Sequence, residues 1–121
     1  MKICISLSSL ILILFVSYAT ASTRIDSDKA AFHVGENIMV CGKAADIAKL
    51  KNRTVINIGN VYPREDINIL IWDNNLPIIE ERLGPIDNLK NKKLCASGTI
   101  DVYKEHLQIQ ISNPKMLRLM K

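Results

Sequence analysis

Histidine, glycine and aromatic side chains are all scarce in this sequence, and each shortage excludes a chemistry. Its 121 residues hold two histidines, five glycines, three cysteines and one tryptophan, with aromatics at 5%. Acid–base or nucleophilic catalysis needs a base, a nucleophile and an orienting group able to converge. His33 sits near the start of the domain and His106 in a hairpin turn, and neither has triad partners in the pattern. The carboxylate pairs Glu65-Asp66 and Glu80-Glu81 are adjacent, so on a strand or a helix their side chains diverge. The glycines are scattered singly, which leaves no phosphate-cradling loop. Asp26-Ser27-Asp28 lacks the glycine and distal glutamate of a calcium loop. Cysteines without a CxxC spacing or a neighbouring histidine make a poor zinc site. The reading is a protein that is not an enzyme and uses no metal or cofactor.

No apolar run is long enough to span a bilayer as a helix. The longest, residues 3–16, falls short of the roughly 20 residues needed to cross the hydrocarbon core. It follows Lys2 and precedes Ala19-Thr20-Ala21, a small-x-small cleavage pattern, so residues 1–21 read as a signal peptide and the product as periplasmic or secreted. Cys4 leaves with that peptide. Cys41 and Cys95 remain, an even number in a compartment where disulfides persist, with two buried free thiols as the alternative. The mature chain then carries 15 lysines and arginines against 12 acids, a net +3. That mild bias permits an anionic partner without demanding one.

What is abundant is period-two alternation. After a polar leader, residues 22–33, a single domain over residues 34–121 begins with a strand at 37–43, and residues 44–50 can continue it as a long curved strand. A polar connection at 49–53 leads to a second strand at 54–58, with Ile56 and Ile58 on one face and Val55 and Asn57 on the other. A loop at 59–64 precedes a third strand at 66–72, which sets Ile67, Ile69 and Ile71 against Asn68, Leu70 and Trp72. The period then changes. Leu76, Ile79 and Leu83 recur at helical spacing behind Asn74 and Asn75, and Gly84-Pro85 stops the helix. Alternation resumes at 94–102, turns through residues 103–106, and returns as Leu107, Ile109 and Ile111. Asn113-Pro114 opens a last short helical turn through Met116, Leu117 and Leu119.

Three strands, a helix and two strands is the order of the OB-fold, a partly open five-stranded Greek-key barrel. The sequence also resembles single-domain OB-fold proteins of the anticodon-binding and single-strand-binding type. That resemblance is carried by Val40-Cys41-Gly42-Lys43, Ile69-Leu70-Ile71-Trp72, Gly98-Thr99-Ile100 with Tyr103, and Ile109-Gln110-Ile111-Ser112-Asn113-Pro114. It spans roughly residues 34–119. It implies a mainly β fold with one helix between strands three and four, and strand one beside strand four, where Cys41 and Cys95 can meet. Trp72 is expected beneath the helix, where a large ring gains most from burial.

The resemblance also implies where a ligand binds: strands two and three with the one–two and four–five connections. Those positions hold Lys49, Lys51 and Arg53 in the first connection and Asn57 and Asn68 on the sheet. Tyr62 and Arg64 follow in the two–three loop, with Tyr103, Lys104 and His106 in the four–five hairpin. A basic rim with rings suits single-stranded DNA or RNA, held by phosphate contacts and base stacking. The bland alternative is an ordinary solvated surface. A second reading is an envelope or stress protein binding a protein, a glycan or a small ligand through the same barrel. A third docks a partner on an apolar patch of Leu117, Leu119 and Met120.

Overall fold

Rows of isoleucine at every second position form the strands that carry the fold. The computed structural model describes Ile13 and residues 24–120; except for Ile13, the signal peptide read at 1–21 lies outside these residues. Eight strands result: β1 (Arg24–Asp26), β2 (Asn37–Lys49), β3 (Arg53–Ile58), β4 (Ile67–Trp72), β5 (Lys93–Thr99), β6 (Asp101–Tyr103), β7 (His106–Gln110) and β8 (Leu117–Leu119). The α-helix α1 (Leu76–Leu83) lies between β4 and β5. Short 3-10 helices occupy Ser27–His33, Ile86–Leu89 and Pro114–Met116. The strand order is β6-β7-β4-β3-β2-β5-β8, with β1 added parallel to β2. The β4–β7 pair is also parallel, and the remaining pairs are antiparallel.

The core lies inside this curved sheet. Ile56 and Ile58 from β3, Ile67, Ile69 and Ile71 from β4, Leu94 and Ala96 from β5 and Ile109 from β7 meet there, capped by Leu76 and Ile79 of α1. Burying each large aliphatic side chain contributes about 1.5–3 kcal/mol, against the ~1 kcal/mol spread of strand propensities. Packing therefore fixes which face turns inward. Every member of the buried cluster is Ala, Val, Ile or Leu, and none is aromatic.

Besides carrying β1, β2 pairs with two different strands along its length. Its first half pairs with β5, from Asn37↔Thr99 to Lys43↔Lys93, and its second half with β3, from Ala44↔Ile58 to Lys49↔Thr54. Between Ala44↔Ile58 and Asp46↔Asn57 the strand takes two steps against one, so Ala45 is the extra residue of a β-bulge. The bulge reverses the parity. Ile38, Val40 and Ala44 point into the core before it, and Ile47 packs against the core after it. Gly42 sits just ahead, where a Cβ would lie 2.5 Å from Ile58 Cγ2 and 2.6 Å from Ser27 Oγ. Only glycine lets the layers close that tightly.

Several expectations need correction. The five-strand count is too low, because flanking strands β1 and β8 extend the sheet and the strand read at 94–102 is two. It breaks at Ile100, whose carbonyl accepts from Gly35 N at 2.7 Å and whose N–H donates to Glu36 O at 3.0 Å. The hydrogen-bonded path is also open: no ladder joins β5 to β7 among the described residues. There β7 approaches by packing, and a Cβ on Gly98 would come within 2.8 Å of Ile109 Cγ2. Residues 24–33, read as a polar leader, form β1 and a 3-10 helix that buries Ala30 completely. The last helical turn is shorter than expected, spanning Pro114–Met116 with Asn113 Oδ1 accepting from Lys115 N at 3.0 Å. Leu117 then enters β8 and is fully buried, so it cannot belong to an exposed docking patch.

Cys41 and Cys95 are directly opposed across β2 and β5 and form a disulfide, both residues buried. The bond closes a loop with a sequence separation of 54. Chain entropy assigns such a loop roughly 4 kcal/mol. Reduction of the folded protein is therefore expected to lower Tm by about 15–30 °C, measured by thermal denaturation with and without reductant. An unchanged Tm on full reduction would contradict the assignment.

Candidate functional site

The face of the sheet opposite the core carries a cleft of about 650 Å³. Strand register builds its floor in rungs. One rung is polar and crosses four strands: Asp46↔Asn57, Asn57↔Asn68 and Asn68↔Gln108. The next is largely apolar, Ala48↔Val55, Val55↔Leu70 and Leu70↔Gln110. A third, Arg53↔Trp72, ends the cleft beside Leu50. Because side chains alternate, all of these share one face.

The ends differ in chemistry. At one, Arg53 lies 6.0 Å from the centroid of the Trp72 ring, and Trp72 Nε1 donates to Gln110 Oε1 at 3.3 Å. At the other, the β3–β4 loop brings Tyr62 onto His106, with ring centroids 5.3 Å apart and planes 21° from parallel. His106 Nδ1 is bonded to Oε1 of Glu65, whose side chain is 1% exposed. That pairing provides a partner for a carboxylate that burial would otherwise disfavour. Tyr103 pairs with His106 across the β6–β7 turn, and Lys104 lies 5.4 Å from the Tyr103 ring centroid. On the floor, Asn57 Nδ2 donates to Asp46 Oδ1 at 2.6 Å.

Of the residues expected at the site, Arg53, Asn57, Tyr62, Asn68, Tyr103, Lys104 and His106 converge on this cleft. Lys49, Lys51 and Arg64 do not line it. The bulge is the reason for Lys49: it brings Asp46 and Ala48 to the cleft face and leaves the odd-numbered positions of β2 on the other, while Lys51 is exposed in the bend between β2 and β3. Arg64 is exposed in the loop outside the cleft. Trp72 was expected beneath α1, but Leu76 and Ile79 fill that space and the indole stands in the cleft wall, 36% exposed. Sequence reasoning also missed Asp46, Val55, Leu70, Gln108 and Gln110. Alternation along β4 and β7 does put Leu70, Trp72 and the glutamines on the outward face, which was the available signal.

The hairpin turn that presents Lys104 is held in an unfavourable conformation. Lys104 has φ 48° and Glu105 φ 68°, a two-residue turn with both φ positive that Asn-Gly fits best. A residue with a Cβ costs about 1–2 kcal/mol in this region. Replacing the pair by Lys104→Asn and Glu105→Gly is expected to raise stability by about 1 kcal/mol, read from the urea midpoint. An unchanged or lower midpoint would show that the native pair is not strained.

The sequence matches no protein-family model and no curated protein. Among solved structures, the fold is similar to a chain of the S. pombe Stn1-Ten1 complex, with TM-score 0.50 and 9% identity over 69% of this chain and 57% of that one. This chain thus spans little more than half of that neighbour. OBody AM3L15 bound to hen egg-white lysozyme is similar at TM-score 0.54 and 8% identity, covering 78% of this chain and 91% of that one. OBody AM1L10, also bound to lysozyme, gives TM-score 0.50 and 8% identity, covering 74% and 83%. At such identities the likeness is one of architecture, and together with the strand order it gives this chain an OB-like fold.

Proposed function

We propose that the mature chain is an exported, non-catalytic OB-fold module that holds a short stretch of single-stranded nucleic acid in this cleft. One observation carries the reading. Of the four aromatic residues described, Phe32, Tyr62, Trp72 and Tyr103, the last three line the cleft, while the buried core contains no ring. Rings gain most by burial, so a fold that keeps them on one outer face is holding stacking surface for a ligand. Arg53 on Trp72 and Lys104 on Tyr103 put a cation beside a ring at each end. Such a pair can stack a base and neutralise its neighbouring phosphate.

The dimensions suit a few nucleotides. Trp72 and the Asn68↔Gln108 rung are four residues apart along β4, and His106 lies two further along β7, in all about 20 Å at roughly 3.3 Å per residue. A site of about 4 nucleotides, the low end for an OB-fold, follows. A protein or glycan segment is the second reading. It is favoured by the apolar rung of Ala48, Val55 and Leu70 and by the single carboxylate, Asp46, among the lining residues. Recovery of one stoichiometric, nuclease-resistant protein partner would support it.

Fluorescence anisotropy with labelled mixed-sequence single-stranded DNA and RNA at low ionic strength tests the first reading. Two cations predict a log–log salt slope of about −1.4. Trp72→Ala and Tyr103→Ala should each weaken binding by about 5- to 150-fold, the equivalent of ~1–3 kcal/mol per stacked base. Lys49→Ala and Lys51→Ala, off the cleft, should change it less than about twofold. Absence of salt-sensitive binding to either nucleic acid would refute the proposal.

A further inference from the structure

The cleft holds a donor-only cation at each end, Arg53 and Lys104, and acceptors on the polar rung at the Lys104 end. Beside Trp72, the guanidinium of Arg53 can only donate. At the polar rung, Asp46 and Asn57 are directly opposed partners on β2 and β3. A carboxylate at neutral pH only accepts, so the 2.6 Å contact with Asp46 Oδ1 must come from Asn57 Nδ2, which fixes the orientation of the carboxamide. The Asn57 oxygen is left over. Asn57 is 2% exposed, it lines the cleft, and its Oδ1 is buried without a hydrogen-bond partner. Native folds rarely leave such a group unsatisfied. Asp46 is only partly buried and uses one carboxylate oxygen on Asn57, keeping the other for a ligand. The Asp46↔Asn57 pair of the rung therefore carries two acceptors, Asp46 Oδ2 and Asn57 Oδ1, beyond the bond it makes internally.

We propose that this end of the cleft is a guanine subsite, an inference that rests on the nucleic-acid reading above. Guanine is the base whose pairing edge carries two adjacent donors, N1–H and N2–H₂. Adenine and cytosine place a ring acceptor next to their amino group, and uracil and thymine set a lone N3–H between two carbonyls. The Asp46 carboxylate with Asn57 Oδ1 is complementary to the first pattern and repels the others, since a ring or carbonyl acceptor facing a carboxylate leaves both unpaired. The stacked Tyr62 and His106 rings, with Tyr103 beside them, stand beyond the rung on the β7 side of the cleft, where they can stack on a neighbouring base. The charge of Asp46 also keeps phosphate away from the rung and directs the backbone toward the flanking cations Arg53 and Lys104.

The experiment compares oligo-dT hexamers carrying one central dG, inosine, dA or dC by anisotropy at low ionic strength. Inosine differs from guanine only by the missing N2 amine. The wild-type protein is expected to bind the dG hexamer about tenfold more tightly than the inosine hexamer, and Asp46→Asn should bring that ratio close to one. Equal binding of dG and inosine by the wild type would overturn the guanine subsite and leave the nucleic-acid reading standing. A preference that persists undiminished in Asp46→Asn would overturn it too. Failure of every hexamer to bind would remove both. The wild-type ratio needs no variant to fold, and the variant is read as a ratio, so a general loss of affinity does not imitate the result.

Discussion

The bend in β2 decides which side chains face the cleft. A strand of 13 residues pairs first with β5 and then with β3 only if it can turn between them, and it does so at Gly42 and at the extra residue Ala45. The close approach of Ile58 and Ser27 leaves no space for a Cβ at Gly42. Ser27 Oγ in turn donates to Asp66 Oδ2 at 2.8 Å, which ties the N-terminal 3-10 helix to the start of β4. Without the parity reversal at Ala45, Asp46 would face the core and Ile47 the cleft. The β2 side of the cleft floor and its register with β3 are consequences of one added residue.

The second constraint is how the rings are distributed. An entirely aliphatic core packs well against a strongly curved sheet, because Ile, Val and Leu fill it without a polar tip that must find a partner. The buried core therefore makes no use of Tyr62, Trp72 or Tyr103. Each is positioned instead by local features: Tyr62 by stacking on His106, Trp72 by its hydrogen bond to Gln110, and Tyr103 by a turn with two positive φ values. Glu65, almost wholly buried, anchors His106 beneath Tyr62 and so links the β3–β4 loop to the β6–β7 hairpin. Side chains held this way have little freedom left to lose, which would favour affinity from a modest area in the proposed site.

Much of this was legible in the sequence because alternation is a direct consequence of one-sided burial. The isoleucine rows of β3, β4 and β7 and the helix between β4 and β5 follow from period and order, and the OB-fold resemblance set the first strand beside the fourth, where Cys41 and Cys95 meet. The bulge was not legible. Ala44-Ala45 carries no side-chain signal for an extra residue, and the lysines beyond it were placed by their position in the connection between the first two expected strands. β1 and β8 were missed because three-residue strands contain too little alternation to detect, and their place is fixed by pairing with β2 and β5. Trp72 was misplaced by an argument from size alone, which ignored the indole N–H that needs an acceptor and the aliphatic residues that already fill the space under α1.

The chain has a single tryptophan, and it stands in the wall of the cleft. Its intrinsic emission therefore reports on the proposed site without a label or a variant. Titration of the oxidised protein with unlabelled oligo-dT should quench Trp72 emission in a saturable manner, with the quench reversed by added salt, as stacking on Arg53-Trp72 requires. An oligonucleotide that binds by an independent readout while Trp72 emission stays constant would contradict the account.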